Sequence, residues 1–483
     1  MSPTSGRWHR HTIVLVLALI GAANGFACFV RLTQPTAITP WEPAIAMEGV
    51  RFTRGLPLYE LSHATHMYGP LLTIAIAGIL KITGFSLIAA RLAFSCCGVA
   101  LAALLATLLC RGRRCSWWIA AFVLFSAINL RTDFVFVSAQ PDCVAALLAL
   151  IALCFWAHPK SSFLFRSAAL GLFLAAVLFK QTSTVFALIL PMNLLLRGRP
   201  FSSERLLFAC VPALAIGLEI ALISVAAPNL FHAMIVIPAS IHVSVGRAVS
   251  GSLFLLATFP VFYLGVASLL FGSQSITEMD RWIGASLVVL LPVAVWTLSK
   301  SGGGYNSLLF AYLAIVALVV SQLPSIMHWI ESASVSHRFA ATLTLGTALL
   351  GSYFFPFDHS LKVLTARHGD EKLQAAIDVI RQVGGNVISP EDPSIAYRAN
   401  GYVGRSVFFE LDAHAVIGQW PATLPAQMDG ELDDAKGVVE VRGYVPLPLF
   451  RQTLIRKGYL TVEPPALKNS AYTLWIKPEN IRQ

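Results

Sequence analysis

The apolar run TIVLVLALIGAANGFACFVR (residues 12–31) leads directly into LTQPTAITPWEPAIAMEGVRFTRGLPLYELSHATHMY (residues 32–68). As a helix, the first segment is long enough to cross a hydrocarbon core of ~30 Å. The second is semi-polar and gathers acids, histidines and aromatics in one loop at the edge of that core. A helix that merely anchors a protein needs none of them, so this loop points to chemistry at a membrane face.

Composition extends the reading to the whole chain. Hydrophobic residues make up 56% and charged residues 12%, with a mean hydropathy of +0.69, whereas soluble chains carry about a quarter charged residues. Apolar segments recur at 12–31, 86–110, 116–130, 141–157, 166–180, 182–197, 206–226, 251–272, 282–298, 307–323 and 338–357, which predicts about eleven transmembrane helices. Arg7 and Arg10 precede the first segment. Arg111, Arg113 and Arg114, then Lys160 and Arg166, then Arg197, Arg199 and Arg205 occupy alternate loops. Cytoplasmic loops retain positive charge, so the N-terminus is expected in the cytoplasm, with residues 32–68 and everything after 358 outside. A cleaved signal peptide would leave that topology unchanged.

The net charge of +10 is thus a topological signal. No basic block lies outside the membrane flanks, and no aromatic platform interleaves with one, so nucleic acid is excluded as a partner. The cysteines at 28, 96, 97, 110, 115, 143, 154 and 210 lie in or beside apolar segments, and none has a zinc-like spacing. Residues 358–483 differ: DEKLQAAIDVIRQVGG reads as an amphipathic helix ended by Gly384 and Gly385. NVIS, SVFFEL, GVVEV, YLTV and YTLWI read as strands, with PLFRQTLIRKG helical. The expected architecture is an all-α polytopic membrane bundle over residues 1–357 with a small extracytoplasmic α/β domain over 358–483.

Within the first loop, Thr39, Pro40 and Glu42 have a structural reading as N-cap, first helical residue and capping-box acid. Glu48 and Arg51 read as a surface ion pair. The functional reading places Glu42 at the membrane surface as a general base, with Glu48 as its alternate. Tyr59, His66 and Tyr68 precede an interfacial helix at 69–83. His63 and His66 share a spacing but lack the carboxylates a metal site needs, so no metal or other cofactor is expected to be obligatory. Asp142 opens a segment, where an acid suits the helix dipole. Lys180 and Lys300, joined by Arg131 and Arg247, put cations at the same face. A cation held near a bilayer core marks function unless it snorkels to water. An acid with several cations suits a reaction with an anionic, membrane-embedded leaving group: Lys or Arg holds a lipid phosphate while a carboxylate deprotonates an acceptor hydroxyl.

These passages resemble the GT-C superfamily of polytopic glycosyltransferases, nearest the protein-mannosyltransferase and aminoarabinose-transferase type. The resemblance is carried, in order, by WEPAIAMEGVRFTRGLPLY, YGPL, ITGFSLIAARL, AQPDCVAALLAL, GLFLAAVLFKQTS and GGGYNSLLFAYLAIVAL. It implies transfer of a sugar from a polyprenyl-phosphate donor to a lipid, glycan or protein acceptor at the outer face of a plasma membrane, with inversion. The first-loop acid of the family maps onto Glu42; many relatives carry Asp-Glu there, where this chain has Trp41-Glu42. The resemblance further implies donor-phosphate contacts from Lys180 and Arg131, which Lys300 and Arg247 are expected to join from the same face. Substrate contacts follow from Tyr59, His66, Tyr68, Asp142, Gln181, Tyr305 and Asn306. A secondary transporter or lipid flippase is the alternative, but it predicts internal repeats, and none is seen.

Overall fold

The computed structural model describes residues 7–60, 66–111, 116–132, 135–197, 202–258, 277–300, 303–332, 369–409, 424, 426–441 and 448–480. The first part is a helical bundle: α1 (Arg7–Thr33), α2 (Trp41–Thr53), α3 (Pro70–Thr83), α4 (Leu87–Cys110), α5 (Trp117–Arg131), α6 (Asp142–Ala157), α7 (Phe163–Phe179), α8 (Ile189–Leu195), α9 (Ser203–Ala226), α10 (Val245–Thr258), α11 (Glu278–Ser299) and α12 (Leu309–Ser332). Among the described residues, four helices are long and apolar enough to cross a membrane: Leu87–Cys110, Ser203–Ala226, Glu278–Ser299 and Tyr305–Gln322. The segment expected at 182–197 is a 3-10 stretch, Gln181–Leu188, followed by the short α8. The segment at 338–357 and the proposed boundary at 357/358 lie outside the described residues.

Local sequence signals set the helix starts. Ser86, Ser162 and Ser202 accept hydrogen bonds from the backbone N–H groups of Ala89, Phe165 and Arg205, and Thr277 forms a reciprocal capping box with Asp280. Packing then follows side-chain size. Ala145, Ala146, Ala149 and Ala152 of α6 are buried against α4 and α7, where small side chains let backbones approach closely. In contrast, Leu207, Leu214, Leu218, Leu222 and Val225 leave one face of α9 apolar and exposed, the surface expected of a lipid-facing helix. The α2–α3 hairpin closes at Gly49, where a Cβ would lie 2.7 Å from Ile76 Cγ2.

The C-terminal module holds α13 (Gly369–Val383), β1 (Val387–Ile388), α14 (Pro393–Asn400), α15 (Ala426–Asp434), β2 (Gly437–Val441), α16 (Pro448–Arg456), β3 (Leu460–Val462) and β4 (Tyr472–Ile476). The sheet order is β1-β2-β4-β3, with β1 and β2 parallel and the other pairs antiparallel. Alternation along the strands splits the core: Val387, Val439, Leu474 and Ile476 pack on α13. Ile388, Val438 and Trp475 pack on Leu432, Phe450 and Leu454 of the other layer. The run SVFFEL, expected as a strand, is instead helical at 407–409; a short apolar run carries no period to tell the two apart. Helix α14 was also unread. Asp392 caps it through the Ser394 N–H, with Pro393 at its first position.

Candidate functional site

Glu42 is not at a surface. Its side chain is 0% exposed, and the Arg91 guanidinium holds it, with Nη2 2.8 Å from Oε2 and Nε 3.1 Å from Oε1. Two backbone N–H groups also donate to it, Ile38 to Oε2 at 2.8 Å and Ala139 to Oε1 at 3.2 Å. The capping box expected with Thr39 does not form. Helix α2 begins at Trp41 with no side-chain cap, and the Thr39 hydroxyl instead accepts from Gln140 Nε2 at 3.5 Å. The sequence reading passed over Arg91, although a lone arginine inside an apolar segment is costly unless it has a task. Its remaining N–H groups donate to the carbonyls of Arg31, Gln34 and Thr36, so one side chain folds the start of the first loop.

Glu48, six residues on, faces elsewhere and does not join Glu42. It is buried and paired with Arg405 of the C-terminal module at 3.1 Å, with Arg51 at 3.9 Å. Arg405 also pairs with Glu60 at 3.1 Å and donates to the carbonyls of Pro57 and Leu58. Trp41 lies 5.8 Å from Phe408 and 6.2 Å from Phe409, ring to ring. The module is thereby clamped onto the first loop.

The aromatics of that loop are tied into its fold by hydrogen bonds. The Tyr59 hydroxyl donates to the Tyr68 carbonyl at 2.7 Å. His66 Nδ1 accepts from the Tyr68 N–H, so Nε2 carries the proton and donates to Thr73 Oγ1 at 2.5 Å. Burial, then the charge of Arg405, pushes His66 down to about 4. His63 lies outside the described residues.

The second buried ion pair joins Asp142, at the start of α6, to Lys180, just beyond α7. Lys180 Nζ meets Asp142 Oδ1, while Asp142 Oδ2 has no hydrogen-bond partner. The ammonium also stands 5.7 Å from the Tyr68 ring centre. A small, mostly apolar cavity of about 30 Å³, room for a water, is walled by Val293, Ala294 and Phe310, with Asp142, Lys180, Thr182, Thr297, Asn306 and Ser307 also on its lining. Asn306 donates to Gln140 Oε1 at 3.1 Å, so residues 139–142 connect the two ion pairs. Gln181 Oε1 is buried without a partner. The approach is tight at Gly69, where a Cβ would sit 2.0 Å from the Leu178 carbonyl.

The other cations stand apart from this pair. Lys300 follows α11, three residues beyond Thr297; it donates to the Pro238 carbonyl and lies 3.7 Å over Trp296. Arg247 donates to the Lys300 carbonyl at 2.7 Å. Arg131 ends α5, and its side chain lies outside what is described. Tyr305 is exposed. Among the described residues, no group of three or more His, Cys, Asp or Glu side chains is placed to hold a metal ion.

No protein-family model and no curated protein matches the sequence. Solved structures do. ArnT from Cupriavidus metallidurans in the apo state aligns over 95% of this chain and 97% of its own, with a TM-score of 0.56 and 14% identity. The same protein bound to undecaprenyl phosphate aligns over 96% and 98%, with a TM-score of 0.58 and 13% identity. The chain has the fold of these ArnT structures. The likeness spans bundle and C-terminal module together, and at this identity it is a likeness of backbone.

Proposed function

We propose that this chain is a multi-pass plasma-membrane glycosyltransferase that moves a sugar from a polyprenyl-phosphate donor to an acceptor hydroxyl. The observation that carries the reading is the buried Asp142–Lys180 pair, one carboxylate oxygen free, beside a small cavity in an ArnT-like fold. The undecaprenyl phosphate held by the structural neighbour supports the class of donor. In this reading the cavity end of the bundle and the C-terminal module face outward.

The acceptor oxygen attacks the anomeric carbon as its proton passes to a carboxylate. The sugar–phosphate C–O bond breaks, and the polyprenyl phosphate leaves with the electron pair. Lys180 neutralises that phosphate, and its departure from Asp142 releases a base where the acceptor enters. We therefore assign the base to Asp142. Glu42 was expected in that role, but both its oxygens are occupied by Arg91 and two N–H groups, which suits a post that holds the loop. Gln181, Asn306 and Tyr305 are proposed for the sugar, and Tyr59 and Tyr68 for shaping the opening. Lys300, Arg247 and Arg131 steer the anionic donor from farther out.

The test uses purified protein in nanodiscs with a panel of radiolabelled polyprenyl-phosphate sugars and membrane extract as acceptor source. Wild type consumes one donor, and Asp142→Asn slows consumption by roughly 10²–10⁴-fold, the range of general-base catalysis. Loss in Glu42→Gln with Asp142→Asn unaffected returns the base to the first loop. Consumption of no donor overturns the transferase reading.

A further inference from the structure

A second cavity, of about 310 Å³, lies toward the opposite, basic end of the same helices. It falls at the small end of the range for ligand pockets. Its walls are nearly all apolar, including Leu105, Leu150, Trp282, Leu290 and Ala314. Arg111 and His158, both exposed, lie at its mouth, where α4 and α6 end. Helices α6, α11 and α12 line both cavities, and the Phe186–Phe310 edge-on pair, 4.9 Å between ring centres, stands between them.

An apolar chamber this size cannot take a sugar without stranding its hydroxyls. It suits hydrocarbon. The mouth adds an anion requirement: Arg111 has no ion-pair partner among the described residues, and His158, whose Nδ1 accepts from the Lys160 N–H at 3.3 Å, carries its proton on Nε2. Two donors at the rim of a hydrocarbon pocket match a phosphate on an acyl chain. Lys160 in the loop after α6 and Arg166 and Arg205 in the first turns of α7 and α9 stand at the same end, so this end attracts the anionic leaflet of the bilayer. We propose that the cavity is a binding site for an anionic phospholipid, an acyl chain filling the chamber and the phosphate resting on Arg111 and His158. The site is independent of the transfer reaction.

Trp282 in the wall is the reporter. Full-length protein in detergent micelles is titrated with phosphatidylglycerol brominated on its acyl chains, and the Trp282 signal is the difference between wild type and Trp282→Phe. Saturable quenching is expected. Losing one charge-assisted contact in Arg111→Gln weakens it about tenfold, to the level of brominated phosphatidylcholine on wild type. Folded Ala314→Phe, with the chamber filled, abolishes saturation; if that variant does not fold, the surface variant Arg111→Gln carries the test alone. Quenching that rises without saturating, equal affinity for the two headgroups, or an unchanged Arg111→Gln overturns the proposal. So does displacement by polyprenyl phosphate at lower concentration than by unbrominated phosphatidylglycerol, which would assign the chamber to the donor's chain.

Discussion

Arg91 and Glu42 form a pair with no exposure on either side chain, and its two halves are not equivalent to remove. Arg91→Ala leaves a buried carboxylate with no cation, a change that typically costs about 3–5 kcal/mol. Thermal unfolding of the solubilised protein, followed by fluorescence, should show that loss. Glu42→Gln keeps one acceptor oxygen for Arg91 but turns an amide NH2 toward a backbone N–H and leaves the guanidinium without an anion, so it should fall between Arg91→Ala and wild type. Equal losses in the two variants would show that Arg91 is held chiefly by the carbonyls of Arg31, Gln34 and Thr36. His66 makes a pH prediction at the same scale. Its folded pKa is lowered to about 4 by burial and then by Arg405, so between pH 6.5 and 4 the unfolded chain binds more protons. Stability therefore falls as pH drops through that window. In His66→Gln, the acid side of a melting-temperature profile should be flatter.

Among elements, the clamp between Arg405 and the first loop is the most exposed to test. Arg405→Ala removes the cation from Glu48 and Glu60 and the donors from Pro57 and Leu58. Residues 54–60 should then be cut by protease far faster than in wild type, with the bundle core still protected. An unchanged cutting rate would mean that the Trp41, Phe408 and Phe409 rings hold the module alone. Gly69 tests the junction of α3 with α7. Even Gly69→Ala places a Cβ into the Leu178 carbonyl, so donor consumption should fall with the displaced Lys180, and reduced activity without that shift would count against the coupling. Both elements at this junction were legible from Pro70 and Phe179 outward; their contact was not, because nothing local encodes which helix a glycine meets.

For the whole molecule, the C-terminal module contributes a loss of stability as pH rises toward 8. Glu391 is buried, and burial, with Glu440 close by, lifts its pKa to about 8 despite Arg451. The folded state binds more protons than the unfolded one between pH 4.5 and 8, so stability is lost as pH rises through that window. Glu391→Gln should remove this fall, and an unaltered slope of the melting profile between pH 4.5 and 8 would show that another group sets it.

The membrane bundle was readable because a bilayer imposes length and composition on every segment that crosses it: each apolar run of sufficient length must satisfy its backbone internally as helix. The caps at Ser86, Ser162, Ser202 and Thr277 and the alternation in β2 and β4 are equally local. The candidate acids and cations were visible as types of residue at segment ends. Their pairing was decided by packing alone. Asp142 and Lys180 are 38 residues apart, Glu42 and Arg91 are 49 apart, and Glu48 meets Arg405 across 357 residues. A buried charge is tolerable only beside its counter-charge, and which counter-charge arrives depends on how whole helices stack. From spacing, Glu42 read as the free acid and Asp142 as a helix-dipole residue. Tertiary structure reverses that contrast, filling both oxygens of one carboxylate and leaving an oxygen of the other open beside the small cavity.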